Sequence, residues 1–421
     1  MNPAVRWLAI AAAALAGSAL PLLASGRAVS GIVLAASLIL VLIHPQRVEA
    51  LCIAARGLRT PLGAALIVLF ACWLVSTLLS ADIGRSIGVW GRMIGLLAGG
   101  ALLGAFLGQN ERTHRLTLQC LISVGLVCLA IVLIGIYIHS PVYGLMSGHG
   151  WEEVRAAKLL KGYGSAVACL VPLWLWAGWR LGGAWRWAGL VLLPAGVLLI
   201  LAVDSRAGMV GLAVGAVVGL GMLALGRPGL GRLRAGLVSI LGVAVVGIVC
   251  LALAQLPAIP EQDATGGAPA IGAANLAPPA GLLDLHRQAI WSYARDRALE
   301  APWFGHGIDM ASRLPGANAV ILQFNQEFIP SHPHNWLLEM FLETGALGTL
   351  ALLAALVLLG SRLLTLAVAD RAAGAAGLAL TAAFWSSSFF NFSIWSAWWQ
   401  LVLLLLLAFM LAARPTGKAG L

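Results

Sequence analysis

Two histidines flank a proline at the start of a long apolar run, in the stretch Ser331–Trp336. Proline keeps the residue before it extended, and a helix can begin just after it. Asn335 is suited to cap such a helix, so His334 would lie beside exposed amides at the positive end of a helix dipole, where anions are favoured. A neutral imidazole there could take a proton from an incoming hydroxyl while an anionic leaving group is held nearby. The alternative is a histidine at the water–membrane boundary with no chemical role.

A second candidate is the tight turn Asp204-Ser205-Arg206-Ala207-Gly208, which lies between two apolar runs. An arginine with no polar loop around it lies close to the membrane plane, where charge is costly. In one interpretation Asp204 simply pairs with Arg206, and in the other Arg206 recognises a substrate.

Two further sets of charged residues have helical spacing. Arg155, Lys158 and Lys161 (i, i+3, i+6) are predicted to share one side of a short surface helix, which contacts either lipid headgroups or a phosphorylated substrate. Glu339 and Glu343 share a helix face just inside the outer boundary. This pair is interpreted as a proton path, as a support that orients the histidine, or as partners of Lys or Arg on a neighbouring helix.

A metal site is not expected from the histidines of the outer region, which are His286, His306, His332 and His334. Proline separates the last two, which does not give the i, i+4 spacing of a helical zinc site, and there is no HExxH motif. The absence of a Walker loop, a GxGxxG after a strand and a GxSxG elbow excludes nucleotide binding and serine hydrolysis. One base and several arginines fit displacement of a diphosphate from a lipid-linked donor, without metal or cofactor.

The composition requires that these residues be positioned by membrane helices. The chain has 421 residues, of which 61% are hydrophobic and 10% charged, and its mean hydropathy is +0.94. Repeated apolar runs of about 20 residues indicate an all-α polytopic membrane protein. A net charge of +10 would suggest nucleic acid in a soluble protein, but the positive-inside rule explains it here, so no nucleic acid is expected.

The apolar runs predict about twelve transmembrane helices. Their ranges are 5–24, 29–43, 61–80, 87–108, 116–138, 162–179, 186–203, 208–226, 235–256, 335–359, 372–392 and 395–413. The first could pass for a signal peptide but is long enough to remain as a span. The domains are therefore residues 1–256 with nine spans, a loop region 257–334, and residues 335–421 with three spans and a short tail.

The basic residues predict the orientation in the membrane. With the N-terminus inside, the cytoplasmic segments hold 15 of the 26 basic residues, and the very short outer loops carry only Arg27, Arg85 and Arg206. Both termini are thus expected in the cytoplasm and the long segment 257–333 in the periplasm. This segment is rich in Gly, Ala and Pro up to Pro279, whereas Asp284–Ala294 has helical periodicity and Pro302–Asp309 is typical of a turn.

The motifs, taken in order, resemble the O-antigen ligase and polymerase family. The resemblance rests on Asp204–Gly208, Arg287-Gln288-Ala289-Ile290-Trp291, Pro302–Gly307, His332–Leu337 and Glu343–Gly348, placed around one long outer loop. Members are metal-independent glycosyltransferases of the bacterial inner membrane that use undecaprenyl-diphosphate-linked glycans in the periplasm. The resemblance implies that Arg206 and Arg287 engage the diphosphate, that His334 is the essential histidine and that the anomeric carbon is inverted.

The remaining expectations concern the substrates. The residues expected to contact substrate are Arg155, Lys158, Lys161, His332, Glu339 and Gln400, with Asn391 as an alternative to Gln400. The expected partners are the lipid-linked O-antigen donor, a lipid A-core acceptor and membrane lipids. A ligase is favoured over a polymerase by the SRxG, RxxxW and HxHN motifs and by the basic stripe formed by Arg155, Lys158 and Lys161. A lipid-linked glycan flippase and a structural scaffold are the alternatives from other classes.

Overall fold

A computed structural model describes residues 3–138, 144, 153–224, 247, 285–321 and 325–413, without the side chains of 153–159 and 285. Its helices are α1 Pro3–Ala19, α2 Arg27–Ile43, α3 Arg47–Gly57, α4 Pro61–Leu78, α5 Ile83–Gln109, α6 Glu111–Ile138, α7 Glu153–Leu181, α8 Ala184–Ala202, α9 Arg206–Ala224, α10 Leu285–Glu300, α11 Trp336–Ala369, α12 Arg371–Ser388 and α13 Ala397–Leu411. Short 3-10 turns cover Pro21–Ser25 and Ala311–Arg313, and β1 (Val320–Ile321) pairs antiparallel with β2 (Gln326–Glu327).

The prediction of an all-α membrane protein is confirmed. Eleven of the twelve predicted spans coincide with helices, and the remaining one, 235–256, lies outside the described residues except for residue 247. Within the described ranges, six helices are long and apolar enough to cross a membrane, namely α4, α5, α6, α8, α9 and α11. The figure of twelve spans stays a prediction.

The segment after α2, expected to be a cytoplasmic loop, instead contains α3. The two helices form a broken pair bent by 107°. Pro45 enforces the break, because the preceding His44 is extended (φ −70°, ψ 141°) and cannot continue α2. The buried His44 ring contacts the Val5 carbonyl at 3.2 Å and accepts from the Gln46 amide at 3.2 Å, which holds the corner.

The basic stripe does not form a separate surface helix. Arg155, Lys158 and Lys161 belong to the first turns of α7, which is one helix of 29 residues that continues into the predicted span 162–179. The prediction that these three residues lie on a helix is therefore confirmed. The prediction of a separate short helix before the span 162–179 is wrong. The side chains of Arg155 and Lys158 lie outside the described residues.

Helix α11 is broken in its N-terminal third, at Gly345 (φ 63°, ψ −169°). The break separates backbone groups that a continuous helix would pair, and the loop after α10 takes their place. Its four bonds are His306 N–H to Leu342 O (3.1 Å), Gly307 N–H to Glu343 O (2.9 Å), Ala346 N–H to Pro302 O (2.8 Å) and Leu347 N–H to Trp303 O (3.3 Å). Residues 346–369 alone amount to about 36 Å of helix, which is enough to cross a bilayer. The turn predicted for Pro302–Asp309 is confirmed, and its partner is the helix break.

Two glycines make this close approach possible. A Cβ on Gly345 would lie 2.3 Å from the Trp303 carbonyl carbon, and one on Gly305 (φ 68°) would lie 2.3 Å from the Glu343 carbonyl carbon. Both contacts are with backbone, which cannot turn aside as a side chain can. Glycine is therefore required on both sides of the contact.

Helix α10, predicted from Asp284–Ala294, is confirmed and covers a small apolar core of its own. Tyr293 and Phe328 stack in this core with ring centroids 5.4 Å apart, and Ile290 and Ile329 are buried beside them. The larger core lies among α1, α2, α5–α9 and α11–α13. The segment 257–279, which is rich in Gly, Ala and Pro, lies outside the described residues.

Candidate functional site

The histidine stretch ends in the predicted cap. The Asn335 side-chain oxygen accepts from the Leu337 and Leu338 amides, both at 3.1 Å, and α11 begins at Trp336. His334 precedes the cap with φ 56°, which is uncommon for a residue other than glycine and is typical of functional positions. The sharp bend places His334 beside the helix rather than in it.

The ring of His334 is oriented by a backbone carbonyl. Its Nδ1 atom lies 2.9 Å from the Asn391 carbonyl oxygen. Because a carbonyl can only accept, Nδ1 must carry the proton, which leaves Nε2 of the neutral ring bare. His334 therefore presents a proton acceptor at Nε2, which is what a general base requires.

His332 is held in the opposite tautomer. Its Nδ1 atom accepts from the His334 backbone N–H at 3.1 Å, so the proton of its neutral ring lies on Nε2. The two rings are adjacent, with centroids 4.1 Å apart. His332 thus offers a hydrogen-bond donor at Nε2 beside the acceptor Nε2 of His334.

Arg287 lies near enough to the two histidines for its charge to lower the pKa of each, and Trp291, one helical turn further along α10, is fixed to their loop. The Trp291 indole N–H donates to the Pro333 carbonyl at 2.9 Å. Residues at i and i+4 share a helix face, so the same face carries Arg287 toward the site. This contact gives the RxxxW spacing a physical reason.

Both histidines are kept neutral. Burial lowers the pKa of His334 to about 4, with the Asn391 hydrogen bond opposing and the positive charge of Arg287 adding to the effect. Burial also lowers the pKa of His332 well below its usual value, and His334 and Arg287 lower it further. A bound anion would offset the charge of Arg287 and raise the pKa of His334, since an opposite charge favours the protonated ring.

The turn that carries Arg206 is exposed and weakly paired. Asp204 (φ 45°) lies 3.8 Å from Arg206 and 3.9 Å from Lys161, each distance joining a carboxylate oxygen to a side-chain nitrogen. The Arg206 side chain is 76% exposed, so the expected ion pair exists but is worth little. Its planar guanidinium remains available for a substrate oxygen.

A hydrogen-bond chain joins this turn to His334. The Asn391 amide donates to Ser165 Oγ at 3.2 Å, Ser165 Oγ lies 3.1 Å from Ser205 Oγ, and Ser205 Oγ donates to the Lys161 carbonyl at 3.1 Å. Both serines are buried. The same Asn391 whose carbonyl orients His334 therefore connects it to the residue next to Arg206.

Of the two alternatives Asn391 and Gln400, Asn391 is the one that contacts His334. The buried Gln400 instead donates to the Ile394 carbonyl at 2.7 Å. Sequence reasoning missed Ser165 and Ser205 altogether. Ser205 lay inside a motif already noticed, but nothing in the residues around Ser165 distinguishes it from any other helical serine.

The two glutamates of α11 point into the protein. Glu339 accepts from Ser393 Oγ at 2.6 Å and from the Ile394 amide at 2.9 Å. Glu343 accepts from the amides of Asp309 (2.5 Å) and Ala311 (2.8 Å) and from the indole N–H of Trp395. In the described residues, no Lys or Arg forms an ion pair with either carboxylate. Both side chains are therefore placed to hold loops, and the contact of Glu339 with substrate stays a prediction.

The other two outer histidines lie apart from this group. His286 Nε2 contacts the Glu327 carbonyl at 3.1 Å, and His306 Nε2 contacts the Arg297 carbonyl at 2.7 Å. The candidate site consequently contains His332, His334, Arg287 and the turn of Arg206, with the exposed Lys161 at its edge.

Comparison with known proteins supports the resemblance that the motifs suggest. The family model described as O-antigen ligase matches residues 191–353, which contain Arg206, Arg287 and His334. A protein of Rickettsia conorii, whose name assigns it provisionally to the polysaccharide ligases, is 30% identical over 71 residues. That match covers 16% of this chain and 17% of the relative. The predicted resemblance is therefore confirmed for residues 191–353, which match the O-antigen ligase family model.

Proposed function

We propose that this protein is an O-antigen ligase of the bacterial inner membrane. It transfers a polysaccharide from undecaprenyl diphosphate to a hydroxyl of a lipid A-core oligosaccharide on the periplasmic side. The observation that carries the proposal is the bare Nε2 of His334, oriented by Asn391 and placed next to the positive charge of Arg287. A base beside an anion-binding arginine suits displacement of a diphosphate.

In the reaction, His334 Nε2 takes the proton of the acceptor hydroxyl while its oxygen attacks the anomeric carbon of the donor sugar. The bond from that carbon to the phosphate oxygen breaks, and undecaprenyl diphosphate leaves with the electron pair. One displacement inverts the anomeric carbon. The one proton that is transferred moves to His334 and the arginines stabilise the leaving group, so the proposed step needs neither a metal nor a cofactor.

Arg206 and Arg287 stabilise the leaving diphosphate in this proposal. A guanidinium offers paired donors that match two phosphate oxygens, and it neutralises the charge that grows as the bond breaks. His332, whose proton lies on Nε2, is placed to donate to an oxygen of the same group. Arg155, Lys158 and Lys161 are assigned to phosphates of the acceptor.

Reconstitution tests the reaction class. The purified protein is incubated with a lipid-diphosphate glycan and a lipid A-core acceptor in detergent, with a chelator present. We expect a new glycolipid and free undecaprenyl diphosphate. A flippase moves a lipid without changing it, so the absence of transfer between the two lipids would support that alternative class.

The nature of the acceptor separates a ligase from a polymerase. Deletion of the gene in its host should leave bare lipid A-core together with long lipid-linked polymer. A mutant whose core carries a single repeat unit would identify a polymerase instead. The proposal of a ligase rests here on the basic stripe and on the motifs, so this experiment decides it.

The proposed topology predicts opposite labelling of two cysteines. Cys52 of α3 is exposed and not in a disulfide, and Leu299 at the end of α10 is 60% exposed. With the N-terminus inside, an impermeant thiol reagent added to spheroplasts should modify a Leu299→Cys variant and spare Cys52. Mass spectrometry of the two peptides reads both sites in one sample, and modification of Cys52 alone would reverse the orientation.

The diphosphate assignment predicts that Arg287→Lys weakens donor binding. Lysine keeps the charge but lacks the planar arrangement of donors, so a loss is expected although the net charge is unchanged. The matched control is Arg297→Lys on the same helix, because Arg297 is paired with Glu300 at 2.8 Å. We expect a raised donor Kd for Arg287→Lys only, and equal affinity in both variants would remove Arg287 from the site.

A further inference from the structure

The turn Ser393-Ile394-Trp395, between α12 and α13, is held by polar side chains from three helices, of which Glu339 and Gln400 are buried. Glu339 of α11 accepts from the Ile394 amide and Ser393 hydroxyl. On the other side of the peptide chain, Gln400 of α13 donates to the Ile394 carbonyl at 2.7 Å, and Arg92 of α5 donates to the Trp395 carbonyl at 2.9 Å. The backbone of Ile394 is thus held by hydrogen bonds at both its N–H and its C=O.

This arrangement is costly to build. Glu339 is only 1% exposed, and a carboxylate taken out of water needs hydrogen bonds to be tolerated. In the part of the chain that the structure describes, its two partners both belong to one turn and neither is a cation. The carboxylate therefore stabilises the turn itself rather than a charge pair.

The turn has a specific neighbour. Asn391, two residues before Ser393, supplies the carbonyl that lies 2.9 Å from His334 Nδ1. The position of this carbonyl determines both which way the ring faces and which nitrogen carries the proton. If the turn shifted, Nδ1 would lose its acceptor and the ring proton could move to Nε2. A protonated Nε2 could then no longer take a proton from a hydroxyl.

We propose that Glu339 and Ser393 are positioning residues, which hold the 391–395 turn and thereby fix the orientation and tautomer of His334. The inference rests on the proposed function, because it assigns a role to these residues only through the base. It also gives a reason for a buried glutamate one turn into α11. Gln400 and Arg92 support the same turn from its carbonyl side.

The test compares the same substitution at two buried serines. Ser393→Ala removes the hydroxyl that donates to Glu339, whereas Ser388→Ala removes one that accepts from the Trp399 indole N–H at 2.8 Å and does not contact the turn. The serines are 7% and 2% exposed, so a general loss of packing or hydrogen bonding affects both. Glu339→Gln is the second variant, since it keeps the shape of the side chain and replaces one of its two acceptor oxygens with an NH2 group.

If the proposal holds, Ser393→Ala and Glu339→Gln lower kcat by up to about 10²-fold, the cost of a misplaced catalytic group, with donor KM little changed. Ser388→Ala keeps kcat near that of the parent protein. In a His334→Ala background, Glu339→Gln causes no further loss, because the group through which it acts is gone. Equal effects of the two serine variants, or a full additional loss in the double variant, would overturn the proposal.

A spectroscopic measurement separates positioning from overall instability. In protein labelled with 15N-histidine, the signal absent from His334→Ala identifies this residue among the eight histidines. It should report Nδ1–H in the parent and in Ser388→Ala, and a mixture of tautomers in Glu339→Gln. An unchanged tautomer would refute the inference alone, whereas near-normal turnover of His334→Ala itself would refute the proposed function.

Discussion

Replacing His334 with alanine should lower kcat by about 10²–10⁴-fold, the usual contribution of a general base. Donor binding should be largely retained, because the arginines proposed to hold the diphosphate remain in place. The measurement is single-turnover transfer together with donor binding, on protein whose thermal unfolding is checked in parallel. Turnover close to that of the parent protein would remove His334 from the mechanism.

His332→Ala is the matched control for that experiment, and its effect should be smaller. His332 lies in the same loop, with its ring 4.1 Å from that of His334. Its loss removes the acceptor of the His334 backbone N–H but leaves the Asn391 contact and the bare Nε2 intact. If His332→Ala were the more damaging of the two, the roles assigned to the rings would have to be exchanged.

The same base predicts a particular pH dependence. Burial lowers the pKa of His334 to about 4, so the free enzyme keeps a neutral ring throughout the neutral range. Activity should therefore fall only as the pH drops toward 4, when Nε2 becomes protonated. The acidic limb of kcat/KM, which reports the free enzyme, should lie at lower pH than that of kcat, because the bound diphosphate raises the pKa of the ring.

Gly345→Ala should be the most destabilising single substitution at the break in α11. The backbone angles at Gly345 fall in a region that is essentially closed to other residues, at a cost of about 1–3 kcal/mol. The added Cβ would also lie 2.3 Å from the Trp303 carbonyl carbon, so the loop would have to move away. We expect a clearly lower Tm in detergent and reduced yield from the membrane.

Gly360→Ala is the control in the same helix, and it should raise the Tm rather than lower it. A Cβ at Gly360 has nothing within 4 Å, and alanine is favoured over glycine inside a helix by up to about 1 kcal/mol. The two variants thus carry the same chemical change in one element. Equal Tm values would mean that the break at Gly345 contributes nothing to stability.

Much of the fold could be predicted because it depends on local signals. Apolar runs of membrane length located eleven helices, periodicity located α10, and Asn335 was correctly identified as the cap of α11. The arginine and histidine motifs lie on three separated segments. Their order along the chain was visible, and Trp291 now gives one reason why two of them meet.

The features that could not be predicted depend on partners far away in the sequence. The Asn391 amide and Ser165 are separated by 226 positions, and no local pattern marks either of them. The break in α11 lies within a sequence that favours helix on both sides of Gly345. The interruption is stabilised by hydrogen bonds from the loop 302–307, and no local sequence pattern predicts this contact.

The bonds that fill this gap run from backbone to backbone, so they place no demand on the side chains of the inserted loop. Trp303 and Phe304 are 65% and 40% exposed there. Their replacement would alter the surface of the loop while its support, which resides in main-chain atoms and two glycines, stayed the same. Natural variation can therefore change what this loop touches in small steps, without moving the helix end that carries the histidine.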